Sequence, residues 1–342
     1  MSRALEGDER EALGKAKAQA FYNDIVQALN CSLNKRLEIE FLPKGYILPP
    51  NCNVLVDENY IGVPKSKLVQ AFVVARKLLV AYLEDLSNVP DHELRNTTAV
   101  LLLMDAENLT AANTRKRLIL RHKDSSDIHS ILRQELLLVE GLLTSRLHRH
   151  TKSPTLWNHR RWVMELGKTV DLPYDFHQDL TEVIMVSAER HPRNYYAWQH
   201  ARWIVYNILG KDGTSISQLD DKLIAMVLSW CTKHPSDTSG FSFLLFCSFE
   251  LPESIVPRSE TCSKVHQEIF HLATSFKWAN ESVWVFLRTL VASGQLSAEQ
   301  EIAFHHTIDA MTATTEDLRV KATLMKAGSW SKINCHQHLD TF

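Results

Sequence analysis

The chain has 342 residues, 45% of them hydrophobic, which is enough to cover a sizeable core and excludes a disordered polypeptide. Its 38 basic and 40 acidic residues nearly cancel, so no global field selects nucleic acid or a membrane, and any such partner has to be read from local patches; no nucleic acid is expected. Six cysteines (Cys31, Cys52, Cys231, Cys247, Cys262, Cys335) form no Cys-x-x-Cys pair and give no disulfide framework, which suits reduced thiols in a cytoplasmic protein.

Residues 1–64 read as an N-terminal extension. A charged start without an apolar signal core runs into a short helix marked by Phe21, Ile25 and Leu29. Alternation over Leu37–Phe41, prolines at 43, 49 and 50, and the β-branched runs Val54-Leu55-Val56 and Ile61-Gly62-Val63 predict an irregular segment with one small hairpin.

Residues 65–330 are helical in period. Leu68, Phe72, Ala75, Leu79 and Tyr82 share one face, and the apolar run Leu68–Leu83 is broken by Arg76 and Lys77, so no membrane insertion is expected. Asp91 or Asn96 opens a second helix through Met104. Asp127 to His148 carries a broad apolar stripe from Ile128 to Leu143. Further stripes follow at Leu180, Val183, Ile184 and Ser187, at Leu219, Leu223, Val227, Trp230 and Cys231, and at Val265, Ile269, Leu272 and Phe276. Ser297 and Gln300 spell a capping box. Residues 331–342 read as a tail in which Cys335-His336-Gln337-His338 is too short and too terminal for a metal site. His305 and His306, being adjacent, point to different faces of a helix.

Two of these segments repeat one pattern. Trp157, His159 and Trp162 are answered by Trp198, His200 and Trp203, and each set follows a helix-start signal, Ser153-Pro154 in one and Pro192 before Asn194 in the other. Continuing to Phe241 and Trp284, and back to Ala112, gives five marks spaced 41 to 45 residues apart. That interval predicts an all-α superhelical array of antiparallel helical hairpins, because a lone hairpin cannot bury its apolar face and must stack on its neighbours. Helical spacing places Trp157 beside Arg160 and Arg161, and Trp198 beside Arg202, where guanidinium can stack on indole. These residues, with Trp284 and Arg288, are candidates for the seam between repeats or for a partner interface. Arg146–Lys152, with His159, Arg160 and Arg161, is the densest basic patch, readable as a solvated helix end or as an anion-binding surface.

The stretch Trp157-Asn158-His159-Arg160-Arg161-Trp162, together with Asn194-Tyr195-Tyr196-Ala197-Trp198-Gln199-His200, resembles the repeat of protein prenyltransferase alpha subunits. The resemblance implies a non-catalytic subunit that supports a beta subunit, with zinc and most of the isoprenoid pocket in that partner and no cofactor bound by this chain. The partner would transfer a geranylgeranyl or farnesyl group from its diphosphate to a C-terminal protein cysteine. One branch of the family implies pairing with the beta subunit of Rab geranylgeranyltransferase. Where the family presents Lys-Asn-Tyr near the diphosphate, this chain reads Arg193-Asn194-Tyr195, which makes Arg193 and Tyr195 the candidates for that contact. The alternative is a tetratricopeptide-like scaffold for protein or RNA-processing complexes, whose repeats run near 34 residues.

Overall fold

Cap residues and apolar spacing decide where each helix starts and which face it buries. The computed structural model describes residues 7–32, 34–84, 89–209, 220–251 and 257–335. They form an all-α helical-repeat fold with one small sheet, in two compact units, Met1–His191 and Pro192–Phe342.

The first unit opens with α1 (Gly7–Leu29), β1 (Glu38–Leu42), β2 (Leu55–Asp57) and β3 (Tyr60–Pro64). It continues through α2 (Lys65–Glu84), α3 (Asp91–Met104), α4 (Leu109–Arg121), α5 (Ile128–Leu143) and α6 (Pro154–Thr169). Then α7 (Phe176–Asp179) passes through a π-helical turn (Leu180–Ile184) into α8 (Met185–Arg190). The expected hairpin is present as β2 and β3, with Leu55 opposite Gly62. A third strand joins it: β1 runs parallel to β3, from Glu38 opposite Tyr60 to Leu42 opposite Pro64. Ile39, Ile61 and Val63 are buried while Glu40 points to solvent, as a sheet with one covered face requires. The N-terminal helix is longer than its three marked residues suggest. It spans 23 residues and packs on α2 and α3, burying Ile25, Ala28 and Leu29.

The second unit holds α9 (Tyr195–Ile204), which ends in a π-helical turn (Val205–Leu209), and α10 (Asp220–Lys233), α11 (Thr238–Glu250) and α12 (Arg258–Ser275). It closes with α13 (Glu281–Ala292), α14 (Ala298–Thr314) and α15 (Leu318–Ile333). Both halves of the Ser297–Gln300 capping box are formed at the start of α14. Leu223, Val227, Trp230, Cys231, Val265 and Ile269 are buried as their spacing predicts.

Two boundaries differ from the sequence expectation. Helix α5 stops at Leu143 with Thr144 as its cap, so His148 is in the following connection and not on the helix. Phe276 is 68% exposed because α12 ends at Ser275 and the chain turns away at Lys277, whose φ is +50°. Leu219 and residues 336–342 of the tail lie outside the described residues. No helix among the described residues is long and apolar enough to cross a membrane.

Candidate functional site

The repeat is written first in its caps. Asn108, Ser153, Asn194, Asp237 and Asn280 precede α4, α6, α9, α11 and α13, and the first four accept hydrogen bonds from backbone amides of the first helical turn. Each satisfies donors that a helix start would otherwise leave bare. Four residues after each cap stands the register mark, and all five marks (Ala112, Trp157, Trp198, Phe241, Trp284) are buried. The indole of Trp157 donates to Thr151 O at 2.9 Å and that of Trp284 to Trp278 O at 2.8 Å, in each case six residues back in the turn before the helix. In Trp198 the equivalent place is Pro192, and its Nε1 is buried without a partner.

The turns are also tied to one another. Ser153 Oγ donates to Ala106 O of the preceding turn (2.9 Å), and Ser282 Oγ donates to Pro235 O (2.5 Å). Between them in sequence, the Arg193 amide donates to Asp237 Oδ2 at 3.0 Å. Ser153 and Asp237 thus each close their own helix and tie to the preceding turn with one side chain, whereas before α13 the tie is made by Ser282, two residues past the cap.

The arginine code resolves into two positions. Seven residues after the cap, Arg115 and Arg160 are buried within the first unit. Arg115 grips Glu135 through Nε (2.8 Å) and Nη2 (2.7 Å), and Glu135 also lies 2.6 Å from His159 Nε2. Burial alone pushes the Glu135 carboxyl upward. The Arg115 charge and the His159 contact outweigh it and hold the group well below the ordinary carboxylate range. Arg160 is shared between Glu140 (2.9 Å) and Asp179, and Tyr174 Oη donates to Asp179 Oδ2 at 2.5 Å. Two carboxylates on one cation leave an excess of negative charge. Burial and, against the pull of Arg160, repulsion from Asp179 hold Glu140 above its ordinary value, while burial and Asp179 push the Tyr174 phenol up.

Eight residues after the cap, Lys116, Arg202 and Arg288 are half-buried and reach the next repeat. Lys116 lies over Trp162 (5.4 Å), Arg202 over Phe246 (5.3 Å) and Arg288 over Trp330 (4.6 Å). The expected stacking of Arg202 on Trp198 is therefore replaced. Helical geometry aims a side chain at this position off its own helix, and its Nη2 also donates to Ser242 O and Oγ at 2.6 Å each. Trp198 instead packs among Trp230 (4.9 Å) and Phe243 (5.3 Å), with Gly240 letting the rings close in. A Cβ on Gly240 would stand 2.6 Å from the Trp230 ring.

The basic patch is not one surface. His159 and Arg160 are buried in the ion pairs just described, and Arg161 and Trp162 are half-buried. Leu147, His150 and Thr151 turn inward, with His150 Nε2 3.0 Å from Leu102 O, whereas Arg146, His148 and Arg149 remain exposed. His200 is buried and stacks on Trp203 at 5.3 Å. Glu135, Glu140 and Asp179 were not singled out by sequence, although Glu135 and Glu140 interrupt an otherwise apolar stripe, and that interruption is the readable signal.

Arg193, Asn194 and Tyr195 form a fixed turn. Arg193 has a left-handed backbone (φ +60°), and its Nε donates to Ser236 O at 3.2 Å. Asn194 is fully buried as the α9 cap, while Arg193 is exposed and Tyr195 is 60% exposed. Tyr195 meets Tyr196 edge-on at 5.8 Å, and Tyr195, Gln199, Arg202 and Tyr206 follow at the spacing of a single helix face. That face combines phenols, a guanidinium and little apolar surface. It can donate hydrogen bonds and offer positive charge to an anionic group.

Comparison with known proteins agrees with the repeat. Residues 132–166 match the protein prenyltransferase alpha subunit repeat, and residues 156–269 match the family described as ECM9 middle domain. Human protein prenyltransferase alpha subunit repeat-containing protein 1 is 28% identical over 236 residues, covering 63% of this chain and 53% of that protein. The Danio rerio protein of the same name is 28% identical over 225 residues, covering 60% of this chain and 50% of its own length. The Xenopus laevis form 1-B is 27% identical over 210 residues, 56% of this chain and 46% of that protein. The chain therefore spans about half the length of the curated relatives it matches. With the cap and the buried mark recurring at one interval, the chain carries a match to the protein prenyltransferase alpha subunit repeat and is similar to the repeat-containing proteins named for it.

Proposed function

We propose that this chain is the alpha-type subunit of a heterodimeric protein prenyltransferase, supporting a beta-type chain that transfers a geranylgeranyl or farnesyl group to a protein cysteine. The observation that carries the reading is the Arg193-Asn194-Tyr195 turn: the buried Asn194 fixes the backbone and leaves the two flanking side chains outward. A departing diphosphate needs positive charge and hydrogen-bond donors that are already in place, and Arg193 and Tyr195 supply one of each. In this reading zinc, which would keep the acceptor cysteine as thiolate, belongs to the beta-type chain.

The test is co-expression with beta-type prenyltransferase subunits, beginning with that of Rab geranylgeranyltransferase. Light scattering should find a one-to-one complex that moves labelled isoprenoid onto a cysteine-terminated protein. Arg193→Ala with Tyr195→Phe should leave the complex intact and slow transfer by about tenfold or more. Failure to pair with any beta-type subunit, or a salt-sensitive RNA complex in its place, would overturn the reading in favour of a scaffold.

A further inference from the structure

Helix α2 is apolar on two sides. Leu68, Ala71, Ala75 and Leu79 are buried against α1 and α3. A second stripe, Val69, Val73 and Val80, is exposed on the other side, with Phe72 half-buried beside it. It runs about 16 Å along the helix at 1.5 Å per residue. A soluble surface helix normally shows one apolar stripe and a polar back, so the outer face of α2 needs a cover.

The turn before β2 extends the same surface. A hydrogen bond from the Tyr46 amide to Pro43 O closes it, Gly45 takes φ +89°, and Ile47, the residue after the turn, stands 90% exposed. One shallow depression is lined by Tyr46, Leu48, Lys65 and Val69, and the next along α2 by Phe72, Val73, Arg76 and Val80, so turn and helix form one continuous face. Lys44, Lys65, Arg76 and Lys77 are exposed around it, and Glu84 is the single acid on α2. The sequence had offered Arg76 and Lys77 only as interruptions of an apolar run.

We propose that this face docks the protein peripherally on an anionic lipid surface. Charge decides the occupant. Four cations ringing an apolar strip match a layer whose headgroups are negative and whose interior is hydrocarbon. An exposed isoleucine just past a tight turn, next to an exposed tyrosine, has the form of a side chain that dips below the headgroups with its aromatic neighbour at their level. Docking is interfacial and needs no spanning helix.

Co-sedimentation of the full chain with phosphatidylcholine vesicles, with and without phosphatidylserine, tests it. Binding is expected to the mixed vesicles alone and to fade at high salt. Ile47→Asp, and separately Arg76→Glu with Lys77→Glu, should each lower the partition coefficient by about tenfold or more while leaving the circular-dichroism melt unchanged. Absence of binding to the anionic vesicles would overturn the proposal, as would binding indifferent to both variants. So would light scattering that shows a dimer in solution which Ile47→Asp converts to a monomer, because a second copy would then be the cover.

Discussion

The two units use one turn and two kinds of glue. Seven residues after the cap, the first unit buries Arg115 and Arg160, while the second buries Ala201, Leu244 and Leu287. One place earlier, Thr114 and His159 of the first unit give way in the second to His200 and then to Phe243 and Phe286. The first unit holds its helices with ion pairs that fix geometry through forked hydrogen bonds. The second holds them with rings, Trp198 among Trp230 and Phe243, and Phe241 5.2 Å from Phe286. An ion pair taken from water recovers little net energy but punishes the loss of one partner, whereas an aromatic seam gains by area and tolerates exchange. The same fold is therefore brittle in one half and forgiving in the other.

Three substitutions sharpen that contrast. The largest effect belongs to Arg160→Leu, which strands Glu140 and Asp179 without their cation. It should lower stability by about 3–5 kcal/mol, read by urea unfolding and by lost amide protection in α5 and α6 before α11 and α13. An equal loss of protection in both units would erase the distinction.

The second concerns His266, buried on α12 with neither ring nitrogen hydrogen-bonded and its ring 5.2 Å from Phe270. Burial lowers its pKa to about 4. The folded value lies below the unfolded one, so the associated stability is complete above about pH 6.5 and drains away as pH falls towards 4, by roughly 3 kcal/mol in the limit. His266→Phe should flatten that part of the pH–stability curve. A profile that keeps its slope would show that another group titrates there.

The smallest effect is that of Arg202→Ala. Loss of the contact with Phe246 and of the bonds to Ser242 should cost about 0.5–2 kcal/mol, measured as a lower melting temperature. A larger loss would mean that the cationic position matters to the second unit as much as the buried pairs matter to the first.

Much of this was legible in residue order. The interval of 41 to 45 residues, the caps at Ser153 and Asn194, the box at Ser297 and the buried tryptophans are local or periodic features, and a helix displays such features along its own length. The hairpin of β2 and β3 was legible for the same reason, from its two β-branched runs. The parallel partner of β3 was not, because the pairing of residue 38 with residue 60 is a property of the folded chain.

What the sequence determined alone was the repeat: cap chemistry and the 3.6-residue period act within a turn or two, and they need no neighbour to be read. What only the tertiary structure decided was the use of each arginine. Arg160 and Arg161 are adjacent in the chain, yet one sits at the core among carboxylates that arrive from residues 140 and 179, and the other faces half outward. A hundred-degree step around a helix separates the two fates, and which side of that step meets a carboxylate, a ring or solvent depends on helices that fold in from elsewhere.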